Sequence, residues 1–185
     1  MGKVMERYWG EKKVKPIRKT AGEVVEKHIS VQDNKIYFYS SVNRNACSEL
    51  NKKVSELETK ALTLSNTLDI EKPPIKLLIN SGGGTIVSGI ASMDTIIRCK
   101  VPVWTYVDGF SASAATFMTV VGTKRFMSRN SYMLIHQLST GFWGTYSNFE
   151  DEKQNLALMM KSIKNIYKQY TKLPMKKLDE ILKHD

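Results

Sequence analysis

The chain has 185 residues, enough for one domain with a substantial apolar core, and its longest apolar run, around 112–121, is too short to span a bilayer. A net charge of +10 raises the question of nucleic acid. The positive residues are split between Lys12, Lys13, Lys15, Arg18 and Lys19 and the segment 161–183, without zinc-finger spacing, an RNA-binding aromatic run or a basic-region heptad, so nucleic acid is not an expected partner.

Residues 1–28 mix charges, Pro16 and three glycines with little periodicity and read as a flexible N-terminal arm. No apolar h-region follows Met1, and Cys47 and Cys99 show no metal-ligand spacing, so a reducing cytoplasmic location without membrane attachment is expected. Within 29–41, the run Lys35-Ile36-Tyr37-Phe38-Tyr39-Ser40 is a β-strand bounded by Asp33-Asn34. Asn43 caps a crossover helix whose apolar positions Ala46, Leu50, Val54, Leu57 and Ala61 repeat at helical spacing. The loop Glu71-Lys72-Pro73-Pro74 leads into a strand over 75–79, which empties into Asn80-Ser81-Gly82-Gly83-Gly84.

A second helix over 85–98 is predicted to bury Ile86, Ile90, Met93 and Ile97. A strand follows at 101–107, then a short buried helix over 113–121. Strands at 124–127 and 132–135 are joined as a hairpin by the turn 128–130. Strands alternating with helices imply a largely parallel sheet, whose sites form beyond the carboxyl ends of its strands. A Ser/Thr/Gly loop over 138–145 precedes a long helix over 147–170 striped by Phe149, Leu156, Met160, Ile163, Tyr167 and Tyr170. At about 1.5 Å per residue it reaches roughly 35 Å, long enough to project and meet a neighbouring subunit. Pro174 starts a last helix burying Met175, Leu178 and Ile181. The expected division is therefore an arm at 1–28, an α/β head at 29–145, and the long and terminal helices at 146–185.

Three features carry chemistry. Ser113 opens an apolar helix among Ala112, Ala114 and Ala115, where unpaired backbone N–H groups gather and a substrate backbone can approach closely. A lone serine at a helix start is most often only a cap. His136 ends a strand 23 residues later, although a single histidine on an apolar strand is usually structural. The run Gly82-Gly83-Gly84 lacks the spacing of a P-loop or a dinucleotide fingerprint, and its other use is an oxyanion hole at a turn only glycine can adopt.

In combination, the strand ending Asn80-Ser81-Gly82-Gly83-Gly84, the segment Gly109-Phe110-Ser111-Ala112-Ser113-Ala114-Ala115-Thr116-Phe117, and Lys124-Arg125-Phe126 followed by Asn130-Ser131 and Met133-Leu134-Ile135-His136-Gln137 resemble the ClpP family of Clp protease proteolytic subunits. The resemblance runs from about Lys27 to Asp185. Gly82 stands where the family has proline, and Ala114-Ala115 where it has Met-Gly. The resemblance implies an α/β fold of the ClpP and crotonase group, built of repeated ββα units with a long projecting handle helix. It implies Ser113 as nucleophile, His136 as base and Asp185 as the triad carboxylate, with Asp179 as fallback. Gly84, Ala114 and Gly83 would be the backbone donors of the oxyanion hole. No metal or cofactor is implied. The implied partners are copies of the chain in stacked heptameric rings, an AAA+ ATP-driven unfoldase, and unfolded proteins or peptides as substrates. A catalytically silent ring subunit and a crotonase-type acyl-CoA enzyme are the alternatives.

Overall fold

The computed structural model describes residues 29–183. The arm expected over 1–28 and the triad carboxylate expected at Asp185 lie outside them. A sheet of six strands runs in the order β1 (Ile29–Gln32), β2 (Lys35–Phe38), β3 (Ile75–Ser81), β4 (Val103–Ala112), β5 (Lys124–Met127), with β6 (Tyr132–Leu134) also on β4. The first two strands form an antiparallel hairpin around Asp33, which adopts a left-handed backbone at φ 54°. Every other pairing is parallel.

Helix α1 (Arg44–Leu68) starts where expected, with Asn43 Oδ1 accepting from the Ala46 amide at 3.0 Å. It buries Ala46, Leu50, Val54, Leu57 and Ala61, the positions its spacing marks. Helix α2 (Ile86–Arg98) buries Gly89, Ser92, Met93 and Ile96 and packs Ile86 and Ile90 half-buried against the core, while Ile97, predicted to be buried, is exposed. A side chain on Gly89 would meet the Ala114 carbonyl oxygen at 2.9 Å, so only glycine fits where α2 comes against the start of α3 (Ala115–Val120). Ile75, Leu77 and Ile79 alternate into the core with these helices. On the other sheet face, Tyr106 stacks on Phe126 and the Lys124 ammonium lies 4.6 Å from the Trp104 ring centroid.

Two readings of strands change. β4 does not stop at Val107 but continues through Gly109, at φ 100°, to Ala112. β5 and β6 are not a hairpin. β5 pairs with Trp104–Val107 and β6 with Phe110–Ala112, both parallel to β4, and the turn after β5 only moves the chain along the same edge. Helix α4 (Tyr146–Tyr170) buries Ile163, Ile166 and Tyr167, whereas in its first half Phe149 and Leu158 are exposed and Leu156 is only half-buried. Helix α5 (Met175–Ile181) is anchored by fully buried Leu178, followed by Leu182, and Met175 is exposed. Among the described residues both cysteines are free, and no helix is long and apolar enough to cross a membrane.

Candidate active site

Parallel pairing delivers chain ends to one side of a sheet, and three of them converge here. β3 gives way to the glycine turn, β4 to Ser113, and β6 to His136 after one intervening residue. Ala112 is the register partner of Leu134, and the Ser113 amide donates to the Leu134 carbonyl at 2.9 Å. Gly84, Ser113 and His136 line one cavity of about 70 Å³, closed from the helix side by Phe117, Ile163 and Tyr167. Its size suits water or a small reacting group.

Ser113 is not a helix residue. It occupies the step between β4 and α3 at φ 54°, a left-handed conformation uncommon for a residue with a side chain. α3 is six residues long, so its dipole contributes less than a full helix would. Hydrogen bonds on both sides hold the unusual backbone. The amide is taken by Leu134, and the carbonyl accepts from the Thr116 amide at 3.0 Å and from Thr116 Oγ1 at 2.6 Å.

The glycine turn is built for contact. A Cβ on Gly83, at φ 91°, would lie 2.6 Å from both the Ala112 carbonyl oxygen and Ser113 Cβ, and 3.2 Å from the Ala114 nitrogen. A Cβ on Gly84, at φ 146°, would lie 2.3 Å from the Val42 carbonyl oxygen. Val42 donates to the Gly83 carbonyl and accepts from the Thr85 amide, an arrangement that brackets Gly84. In such a parallel bridge the bracketed residue's own N–H points away from the partner strand. The Gly84 amide thus turns from Val42, on a residue that lines the cavity. The Gly83 amide, by contrast, donates to Ser81 Oγ at 3.2 Å, and Gly83 does not line the cavity. Gly82 has open space around it, so nothing there demands the family's proline.

The fallback carboxylate is engaged elsewhere. Asp179 on α5 accepts from Lys164 Nζ at 2.7 Å, which holds its carboxyl below the ordinary value, and it does not line the cavity. Among the described residues no group of three or more His, Cys, Asp or Glu is placed to hold a metal ion.

Sequence reasoning missed one residue of the cavity wall. Tyr167, read as one position in an apolar stripe, lines the cavity, and its hydroxyl lies 2.6 Å from Thr116 Oγ1. The available signal was the phenol itself, since a buried tyrosine hydroxyl ordinarily finds a partner. Burial pushes its pKa up to about 12, so it keeps its proton.

A family model described as Clp protease matches residues 27–185. Among curated proteins, the ATP-dependent Clp protease proteolytic subunit 1 of Streptomyces avermitilis is 37% identical over 99 residues, covering 52% of this chain and 46% of that protein. The chain therefore spans about half the length of the curated relative it matches. Among solved structures, a ClpP1 mutant from Listeria monocytogenes aligns with a TM-score of 0.63 at 22% identity, over 76% of this chain and 73% of that one. At that identity the likeness concerns the fold.

Proposed function

The chain belongs to the Clp protease family, and on that premise we propose that it is a serine endopeptidase subunit hydrolysing peptide bonds of unfolded proteins. One observation carries the reading: Ser113 and His136, from segments 23 residues apart, line a single cavity with Gly84. His136 accepts the Ser113 hydroxyl proton as Oγ attacks the peptide carbonyl. The N–H groups of Gly84 and Ala114 receive the oxyanion, with Gly83 shaping the turn. His136 returns the proton to the leaving amine, and water, deprotonated in the same way, releases the acyl group from Ser113. Asp185 is the carboxylate assigned to orient the imidazole.

The working form is a ring assembly of copies of the chain, heptameric and stacked, with α4 as the contact between rings. An AAA+ ATP-driven unfoldase feeds substrates into the enclosed chamber, in a cytoplasm. The first half of α4, with Phe149 and Leu158 exposed, favours such a contact.

Labelling with a fluorophosphonate tests the chemistry. The wild type is expected to label, and Ser113→Ala and His136→Ala to lose the label, with peptide cleavage falling at least a thousandfold. A folded, assembled wild type that takes no label would overturn the peptidase reading in favour of a silent ring subunit. Label retained by Ser113→Ala would place the nucleophile elsewhere.

A further inference from the structure

Behind Ser113 stands a pair of hydroxyls that the mechanism above does not use. Thr116 Oγ1 donates to the Ser113 carbonyl at 2.6 Å, which commits its only proton. The 2.6 Å contact between Thr116 Oγ1 and the Tyr167 hydroxyl must then run from the phenol to the threonine. Tyr167 reaches in from α4, 51 residues away in sequence, and the pair is sealed, Thr116 being 0% and Tyr167 2% exposed. The order of donation is Tyr167 O–H to Thr116 Oγ1, then Thr116 O–H to the Ser113 carbonyl.

That carbonyl belongs to the same peptide unit as the Ala114 N–H. A trans peptide is planar, with its C=O and N–H pointing in opposite directions. Fixing the Ser113 oxygen toward Thr116 therefore fixes the Ala114 N–H on the opposite side, and the Ala114 nitrogen does lie against the glycine turn that carries Gly84. Hydrogen bonds in series polarise one another, so a carbonyl that accepts strongly makes its own amide N–H a better donor. We infer that Tyr167 and Thr116 are positioning residues for the oxyanion hole, a two-hydroxyl relay that orients and polarises the Ser113–Ala114 peptide. The inference rests on the serine-peptidase reading of this site.

Stability alone does not call for these hydroxyls. The Thr116 amide already satisfies the Ser113 carbonyl at 3.0 Å. Replacing both partners of a buried hydrogen bond by apolar groups of the same shape is often neutral, whereas removing one strands the other. A phenylalanine and a valine would fill the same volume. The left-handed backbone of Ser113 gives the relay a task, because a strained conformation persists only where its surroundings hold it.

The test compares wild type, Tyr167→Phe, Thr116→Val, Thr116→Ser and the double variant Tyr167→Phe/Thr116→Val, in assembled protein. The readouts are peptide hydrolysis, inhibition by a peptide aldehyde and thermal melting. The aldehyde reports the hole, because its adduct with serine carries an oxygen in the oxyanion position. The double variant is expected to melt with the wild type yet lose about tenfold in kcat, short of the hundredfold or more for deleting a donor outright. KM should stay unchanged and aldehyde affinity should fall in parallel with kcat. Tyr167→Phe alone should lose part of this, and Thr116→Ser should restore wild-type behaviour. A stable double variant with wild-type kcat and aldehyde affinity would overturn the relay while leaving the peptidase reading intact. A wild type that neither hydrolyses peptides nor takes a fluorophosphonate label would overturn both.

Discussion

The Ser113 amide donates to the Leu134 carbonyl across 2.9 Å, and this bond ties the end of β4 to the end of β6. Because β6 runs parallel to β4, the chain leaves both strands at the same side of the sheet, and His136 follows Leu134 by two residues. Had the two strands after α3 formed a hairpin, β6 would have run antiparallel to β5 and carried His136 to the opposite end. The split of β4 between two parallel neighbours thus makes a shared serine–histidine cavity available.

The glycine turn makes a paired prediction. A methyl at position 83 collides with Ser113 Cβ and the Ala112 carbonyl at 2.6 Å and forces a left-handed backbone on alanine, whereas position 82 is open. Gly83→Ala should lower stability by about 1–3 kcal/mol and reduce peptide hydrolysis more than tenfold, because the turn must back away from the nucleophile. Gly82→Ala should match the wild type in both. Thermal melts with a fluorogenic peptide assay decide it, and equal behaviour of the two variants would show that the turn does not press on Ser113.

Much of this was legible. Asn43 and the 46/50/54/57/61 spacing fix α1 because capping and amphipathic period are local properties. On α2 the burial of Met93, Ile86 and Ile90 was legible, whereas the inward positions of Gly89 and Ser92 were not, because hydropathy says nothing about size. Gly89 faces inward with no room for a side chain because Ala114 comes too near, and that nearness is set by another element. β4 was expected to end at Val107, but the pairing of Ser111 with Ser81 and of Phe110–Ala112 with β6 extends it, and both pairings are set by other elements. His136 was readable as a histidine at a strand end, whereas Ser113 was expected to open a helix and instead occupies the step between β4 and α3. The Thr116–Tyr167 contact was not, because its partners are 51 residues apart and neither carries a local pattern.

Helix α5 is short and should depend on one side chain. Leu178 is fully buried beneath it. Leu178→Ala should destabilise by about 2–4 kcal/mol through lost burial and the cavity left behind. Denaturant midpoints measure this, and a loss below about 1 kcal/mol would mean that α5 packs mainly through Leu182.

The bond between α4 and α5 predicts a pH effect of known sign. Lys164 holds the Asp179 carboxyl below its ordinary value, chiefly by hydrogen bonding. A carboxylate depressed in the folded state adds stability that is present above its unfolded pKa and is lost as pH falls through the folded one. Asp179→Asn should therefore melt slightly below the wild type at neutral pH, with the gap closing under acid, from about pH 4 downward. Both partners are roughly two-fifths exposed, so the gap is small and shrinks in salt. A gap that widened under acid would contradict the pairing.

Assembly can be separated from folding on α4, because its two halves differ. Ile163, Ile166 and Tyr167 anchor the second half to the body, while Phe149 is 55% and Leu158 64% exposed in the first. A charge at 158 costs the isolated chain little, since the site already faces water. In a contact between rings the same charge loses its hydration without a partner, which costs several kcal/mol per ion, and each 1.4 kcal/mol weakens association tenfold. Leu158→Glu should therefore keep the wild-type melting profile at concentrations where both proteins are dissociated, yet require much higher concentration to assemble. Light scattering across a dilution series reads the difference. Unchanged assembly by Leu158→Glu would remove this stretch of α4 from the subunit contact.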